Sequence, residues 1–376
     1  MIVPCSARSA ILRITKVHVW SVVKVPVQPG LNIGSEFYDM NQKDHITLLH
    51  GNGGLQSHRL IRELFLKYFG NPQLNRLEDS ALLTADSDRI VFTTDSYVIK
   101  PLFFPGGDIG KLAVSGTVND LAVCGAIPHW LSCGLIIEEG FEIAALEKIL
   151  TSMKETADLV NVKIVTGDTK VVEKGNADGI YINTSGIGTL IEGVELGQHR
   201  IQIGDKIIIN GYIGDHGAAI IQAREDFPIE MNLQSDCSPI NHIIKKLLSE
   251  LDGIKLMRDP TRGGVATVLN EFVENQAFGI QIEETALPIR ECVQGFCEPL
   301  GFDPLFLANE GKFLMVISED EAIKALEIIH SFPGSESAEI IGEVIDEPRG
   351  KVILKTQIGS HRILDMLSGE MLPRIC

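Results

Sequence analysis

The sequence predicts an α/β (α+β) fold of two domains, on three observations. The chain has 376 residues, more than one hydrophobic core ordinarily serves. Its 44% hydrophobic against 22% charged residues is a core-forming composition, which excludes wholesale disorder. Strand-like and helix-like runs also alternate in two successive sets, with a break near residues 192–204.

Residues 1–39 stand apart. Arg8, Arg13, Lys16 and Lys24 precede the first acid, Glu36, while Pro4, Pro26 and Pro29 oppose a helix. They read as a disordered extension rather than a targeting helix. An N-terminal domain is expected over 40–198, a C-terminal domain over 199–347, and a closing segment with a mobile tail over 348–376.

The first set opens with a short apolar strand at 46–49 and the glycine loop His50-Gly51-Asn52-Gly53-Gly54. Leu60, Ile61, Leu64, Phe65 and Phe69 repeat at helical spacing, and Gly70-Asn71-Pro72 stops that helix. Strands are expected at 89–94, 163–166 and 180–184, with helices near 109–124 and 141–160. The second set begins with a strand at 206–210 and the loop Gly211 to Gly217. Ser238-Pro239 reads as N-cap and first turn of a helix ending near Leu251. Gly263-Gly264 leads into a helix over 265–274, and strands are expected at 312–317 and 351–354.

Lysine plus arginine number 33 and aspartate plus glutamate 50, a formal net charge of −17. Such a surface repels phosphate backbones and anionic membranes, so nucleic acid and membrane are excluded as main partners. No run approaches the ~18 apolar residues of a membrane span. The seven cysteines are odd in number and form no C-x-x-C pair. Reduced thiols in a cytoplasmic protein follow, with Cys292 and Cys297 as ordinary half-buried thiols.

Two nucleotide motifs are near-misses. Gly106-Gly107-Asp108-Ile109-Gly110-Lys111 has the glycine spacing of a P-loop too short, and Leu112 stands where a hydroxyl should bind magnesium. Gly186-Ile187-Gly188 lacks the third glycine of a dinucleotide turn. The loop with Gly51, Gly53 and Gly54 reads two ways, as a phosphate cradle at a helix start or as a flexible strand-to-helix turn.

The carboxylates carry more. Asp95 and Asp168 each end an expected strand, Asp79 lies in Glu78-Asp79-Ser80, and Asn119-Asp120 interrupts an apolar helix of small residues. Ligands gather at strand carboxyl ends, and converging acids need cations to offset them, for which nucleotide-borne Mg²⁺ is suited. The bland alternative is that each acid caps its own turn. Lys170 directly after Thr169 reads as a solvated charge or as a cation for a transferring phosphoryl group. Glu310, in Asn309-Glu310-Gly311, is a turn carboxylate or a base. Cys376 is the last residue, on a stretch from Ser368 that spans roughly 30 Å when extended. Its thiol lies between its own carboxylate and Arg374, which suits a carrier arm better than a resident nucleophile.

Together these stretches resemble one family, the HypE carbamoyl dehydratases of hydrogenase maturation. The resemblance rests on His50-Gly51-x-Gly53-Gly54, Thr94-Asp95-Ser96-Tyr97-Val98, the run Pro101 to Gly107 and Gly116-Thr117-Val118-Asn119-Asp120. It continues through Thr166-Gly167-Asp168-Thr169-Lys170, Gly214-Asp215-His216-Gly217, the run Arg258 to Gly264, Asn309-Glu310-Gly311-Lys312 and the terminal Pro373-Arg374-Ile375-Cys376. It covers the chain from about Met40 onward.

The resemblance implies a fold shared with aminoimidazole ribonucleotide synthetase, selenophosphate synthetase and thiamine phosphate kinase, ATP-dependent dimers whose N-terminal halves pair in a barrel-like interface. It implies that a carbamoyltransferase, HypF, loads Cys376, that ATP drives dehydration of the S-carboxamide to a thiocyanate, and that cyanide passes to iron on a HypC–HypD scaffold. On this resemblance Asp79, Asp95, Asp120 and Asp168 bind Mg²⁺ and ATP phosphates, with Asn119 and Thr169 assisting and the glycine loop nearby. Lys170 and Glu310 handle the amide and its proton. Two rivals differ in kind: a small-molecule kinase or ligase of the same superfamily, and a non-enzymatic docking protein. Neither needs a thiol at the last residue.

Overall fold

The computed structural model describes residues 45–51, 54–77, 80–81, 83–85, 87–224 and 232–366. The expected strand at 46–49 is instead a single bridge between His45 and Glu142 and a 3₁₀ turn at Leu48–His50. Only Ile46 of that apolar run is buried, and Leu48 and Leu49 stay exposed, so there is no face for a strand to hide. The expected helix is continuous through α1 (Leu55–Arg59), a π-helical segment Leu60–Phe65 and α2 (Leu66–Phe69), with Leu60, Leu64 and Phe65 facing the core.

The first sheet is built from β1 (Ile90–Tyr97), with the small hairpin β2 (Phe103–Phe104) and β3 (Gly107–Asp108) leading into helix α3 (Ile109–Val123). Strand β4 (Ala126–Glu138), helix α4 (Ile143–Leu159) and strands β5 (Lys163–Val172) and β6 (Ile180–Leu190) complete it. Its order is β1-β6-β4-β5, and only β4 and β5 run parallel. Strand β4 escapes a sequence reading because Pro128 interrupts it; the register shifts between Pro128 and Trp130, the irregularity that lets a proline sit inside a sheet. The Gly106-Gly107-Asp108 run proves to be a helix entry. The Asp108 carboxylate accepts from the N–H groups of Gly110 at 2.7 Å and Lys111 at 3.1 Å and so caps α3.

The second sheet takes β7 (Lys206–Ile209), then helices α5 (Asp215–Ala223) and α6 (Asn241–Glu250), strand β8 (Ile254–Arg258) and helix α7 (Gly264–Val273). Strand β9 (Gly279–Glu283), helix α8 (Glu291–Leu300), strand β10 (Leu314–Ile317) and helix α9 (Glu319–His330) follow. Strands β11 (Glu339–Ile345), β12 (Val352–Lys355) and β13 (His361–Ile363) close it in the order β13-β12-β9-β11-β7-β10-β8. Ser238 is not the cap of α6. The helix starts two residues later, and the N–H of Ile240 donates to the Asn119 side chain on α3.

Mixed strands and helices are as expected, but both sheets are largely antiparallel. The rule that ligands gather at carboxyl ends of parallel strands therefore does not locate this site. No helix among the described residues is long and apolar enough to cross a membrane. The described cysteines are all free thiols; Cys297 is buried and Cys292 exposed.

Candidate active site

Helix α3 lies against the sheet because its residues are small. A side chain at Gly116 would place its Cβ 2.3 Å from the Tyr97 hydroxyl, so glycine lets Tyr97 cross the helix. That hydroxyl donates to Asp95 at 3.2 Å and lies 3.3 Å from the Thr117 hydroxyl. One turn on, Asp120 accepts from the Thr93 hydroxyl at 2.8 Å. Thr93, Asp95 and Tyr97 alternate on the face of β1 that meets α3. Asp95 is thus inside the strand, not at its end. The strand runs on because Ser96 faces outward while Tyr97 is buried.

Asp95 and Asp120 are joined by Asp259, which follows β8. All three line a cleft of about 1390 Å³, with Glu310, Lys100, Arg224 and Arg262 also on its walls. Burial, then the charges of Asp259 and Asp95, push the Asp120 carboxyl up to about 7. Burial, with Asp95 adding, pushes Asp259 up to about 6. Tyr97 is pushed well above its usual range by burial and then by Asp95, with Glu310 and Asp120 contributing. The cleft floor thus has more negative charge than it can hold ionised alone, a deficit that a cation relieves.

Asp259 is a cleft residue that the sequence pattern assigns no role. It directly follows β8, a strand that the residue pattern does not single out, so no local signal marks it. The donors are hard oxygens, which suit Mg²⁺. Among the described residues no group of three His, Cys, Asp or Glu side chains is arranged to hold an ion by itself. Nucleotide-borne Mg²⁺ needs only one or two carboxylates besides phosphate oxygens, so the fit is to a metal that arrives with its ligand.

Asp168, Thr169 and Lys170 do not join this group within one chain. The expected strand at 163–166 runs on to Val172 and carries all three mid-strand. Register places Asp95, Thr184, Cys133 and Gly167 in one row, and Ser96, Asn183, Gly134 and Asp168 in the next. Successive rows point to opposite faces, and β1 and β5 are three strand spacings apart, about 14 Å. Asp168 and Lys170 pair with each other at 2.9 Å on the exposed outer face. That pairing, foremost, holds the Asp168 carboxyl below the usual range. Lys170 shares its row with Ile136 and Tyr181, and Tyr181 lines the cleft. The backbone of Lys170 is therefore two strand spacings, about 10 Å, from that of Tyr181.

Asn119 is not among the residues that line the cleft. It is buried, its amide donates to the carbonyls of Ser238 at 3.1 Å and Glu310 at 3.2 Å, and its oxygen accepts from Ile240 N–H at 2.9 Å. In this structure its side chain holds backbone on three sides. Gly51 packs on β5: a Cβ there would come within 2.6 Å of the Val171 nitrogen, which accounts for glycine without a phosphate. Gly54 is the N-cap of α1. Asp79, Gly53 and Cys376 lie outside the described residues.

The family description "AIR synthase related protein, N-terminal domain" matches residues 77–190, and its C-terminal counterpart matches 202–355. The carbamoyl dehydratase HypE of Rhodobacter capsulatus is 47% identical over 336 residues, covering 89% of this chain and 98% of that protein. A crystal structure of the hydrogenase maturation protein HypE in complex with ATP superposes with a TM-score of 0.84 at 44% identity, over 88% of this chain and 99% of that one. The crystal structure of a HypE–HypF complex matches with a TM-score of 0.72 at 50% identity, over 82% of this chain and 99% of that one. Thiamine monophosphate kinase from Aquifex aeolicus, with a TM-score of 0.56 at 17% identity over 76% of this chain and 91% of its own, shares the fold. With both domain matches in order and near-complete coverage of its relatives, the chain belongs to the HypE carbamoyl dehydratases of the AIR synthase superfamily.

Proposed function

We propose that this chain uses ATP to dehydrate an S-carboxamide on its own Cys376 to a thiocyanate, supplying the cyanide ligands of iron in [NiFe] hydrogenase maturation. The observation that carries the reading is the charge-overloaded floor of the cleft, Asp95, Asp120 and Asp259, beside Glu310. A relative crystallised with ATP supports the nucleotide. Asp95, Asp120 and Asp259 would hold Mg²⁺ with its nucleotide, and the metal supplies charge neutralisation of the phosphates. Lys100, Arg224 and Arg262 add positive charge on the same walls.

The chemistry balances. An amide oxygen is a poor leaving group. Its attack on the γ-phosphorus of ATP releases ADP and leaves an O-phosphorylated imidate, with one proton lost from nitrogen. Removal of the second N–H proton and cleavage of the C–O bond then expel phosphate and form C≡N. Glu310 is the group to take that proton, and Lys170 the cation to orient the amide, brought in from the outer face.

The outer face of the first sheet leaves Phe92 65% and Ile90 56% exposed at one end and Ile136 exposed further along, as a pairing surface for a second copy needs. A homodimer through this face, a carbamoyltransferase partner of the HypF kind, a HypC–HypD scaffold as cyanide acceptor and a cytoplasmic location complete the reading. The relative captured as a HypE–HypF complex supports the second of these. ADP release measured with carbamoyl-loaded protein tests the function. One ADP per loaded tail, and none above background in Cys376→Ser, is expected. ADP release undiminished in Cys376→Ser would instead mark a small-molecule kinase.

A further inference from the structure

Glu310 lies on a loop whose main chain is held from several sides. The Asp236 carboxylate accepts from the N–H of Glu310 at 3.0 Å and of Gly311 at 3.3 Å. The Glu310 carbonyl accepts from Asn119 on α3 at 3.2 Å. Asn309 is fully buried; its amide donates to the carbonyls of Pro260 and Leu307, both at 3.0 Å, and its oxygen accepts from Gly214 N–H at 2.7 Å. Asn210 donates to the Gly311 carbonyl at 3.3 Å and accepts from Phe313 N–H at 2.7 Å.

The approach of the two segments is as close as backbone allows. A Cβ on Gly311 would meet the Asp236 carbonyl at 2.0 Å and the Ser238 hydroxyl at 2.4 Å. Asp236 is also paired with Lys312 at 3.5 Å, both buried. A charged carboxylate removed from water to accept two main-chain N–H groups is a costly way to hold an ordinary turn. It fixes the turn's position against rotation, because the two oxygens grip successive N–H groups.

Asn119 adds a link to the cleft. Its neighbour Asp120 turns into the cleft while Asn119 turns away and grips Glu310. Adjacent residues of one helix thus fix the carboxylate floor and the main chain of the base. We infer that Asp236 and Asn119 are positioning residues that act through Glu310, setting its carboxylate against the floor formed by Asp95, Asp120 and Asp259.

This rests on the proposed role of Glu310, so the experiment separates the two. Full-length protein is carbamoylated on its tail, ATP is added, and thiocyanate on the tail peptide is followed in a single turnover. Asp236→Asn, Asn119→Ala, Glu310→Ala and each pair with Glu310→Ala are compared, with ATP affinity measured for every variant. Asn119→Ala leaves no buried charge unpaired and keeps the test alive should Asp236→Asn not fold.

Each positioning variant is expected to slow the step about 100-fold, the scale of a small misplacement of a catalytic group, while ATP affinity stays within about twofold. In the Glu310→Ala background the same changes are expected to cost nothing further. Additive losses in that background would overturn the inference, since the residues would then act otherwise than through Glu310. So would full activity in the single variants while Glu310→Ala is slow. An unimpaired Glu310→Ala would overturn the role of Glu310 and the inference with it.

Discussion

Asp120 carries the most informative single titration. Its folded-state pKa of about 7 lies above the ordinary carboxylate value of about 4, chiefly through burial. An acid shifted this way holds its proton more tightly in the fold, so its contribution to stability falls as pH rises from about 4 to about 7. Asp120→Asn, a neutral isostere, is therefore expected to stabilise the ligand-free protein at pH 8 by about 1–3 kcal/mol. A thermal melt reads this, and an unchanged or lower midpoint would contradict it. Binding of a magnesium nucleotide needs the ionised form. Its affinity should weaken as pH falls below about 7, by up to about tenfold per pH unit, and calorimetry should show proton release on binding. In Asp120→Asn that pH dependence should vanish with most of the affinity.

At the scale of the element, α3 and β1 make the cleft together, and Gly116 is the point of closest approach. Gly116→Ala should cost about 2–3 kcal/mol by forcing Tyr97 off the helix. Urea unfolding measures it, and Gly116→Ala with Tyr97→Phe should recover part of the loss. The helices were legible in the sequence because their apolar spacing and stops are strong; 109–124 and 141–160 stand within a few residues of α3 and α4. Strand ends were not legible. Thr94-Asp95 and Gly167-Asp168 look like exits from apolar runs, yet both strands continue because polar side chains on one row face outward. Asp95 and Asp168 therefore look equivalent in sequence but lie on opposite faces. The Asn-Asp pair at 119–120 needs partners in an apolar helix; Asn119 finds them in backbone, while Asp120 accepts from Thr93 and turns to the cleft. Only the helix geometry reveals that split.

For the molecule as a whole, the first sheet covers one face with α3 and leaves the other with exposed apolar side chains and the Asp168–Lys170 pair. A second copy seated there would bury Phe92 and Ile90. Phe92→Lys is expected to convert a dimer to single chains by light scattering, with the fold intact by circular dichroism; an unchanged mass would place the interface elsewhere. Two-domain architecture and the acidic floor could be anticipated from residue patterns, whereas Asp259 could not, since its convergence with Asp95 and Asp120 is set by packing of the two halves.

In the proposed reaction ATP drives water from a carbamoyl group on Cys376. The most direct measurement weighs the C-terminal peptide after incubation with carbamoyl phosphate, a HypF-type carbamoyltransferase and ATP. Gain of one carbamoyl group and then loss of one water are expected, the second step failing when hydrolysable ATP is withheld from preloaded protein. A peptide that keeps its carbamoyl group with ATP present, or loses water without it, would rule out ATP-driven dehydration.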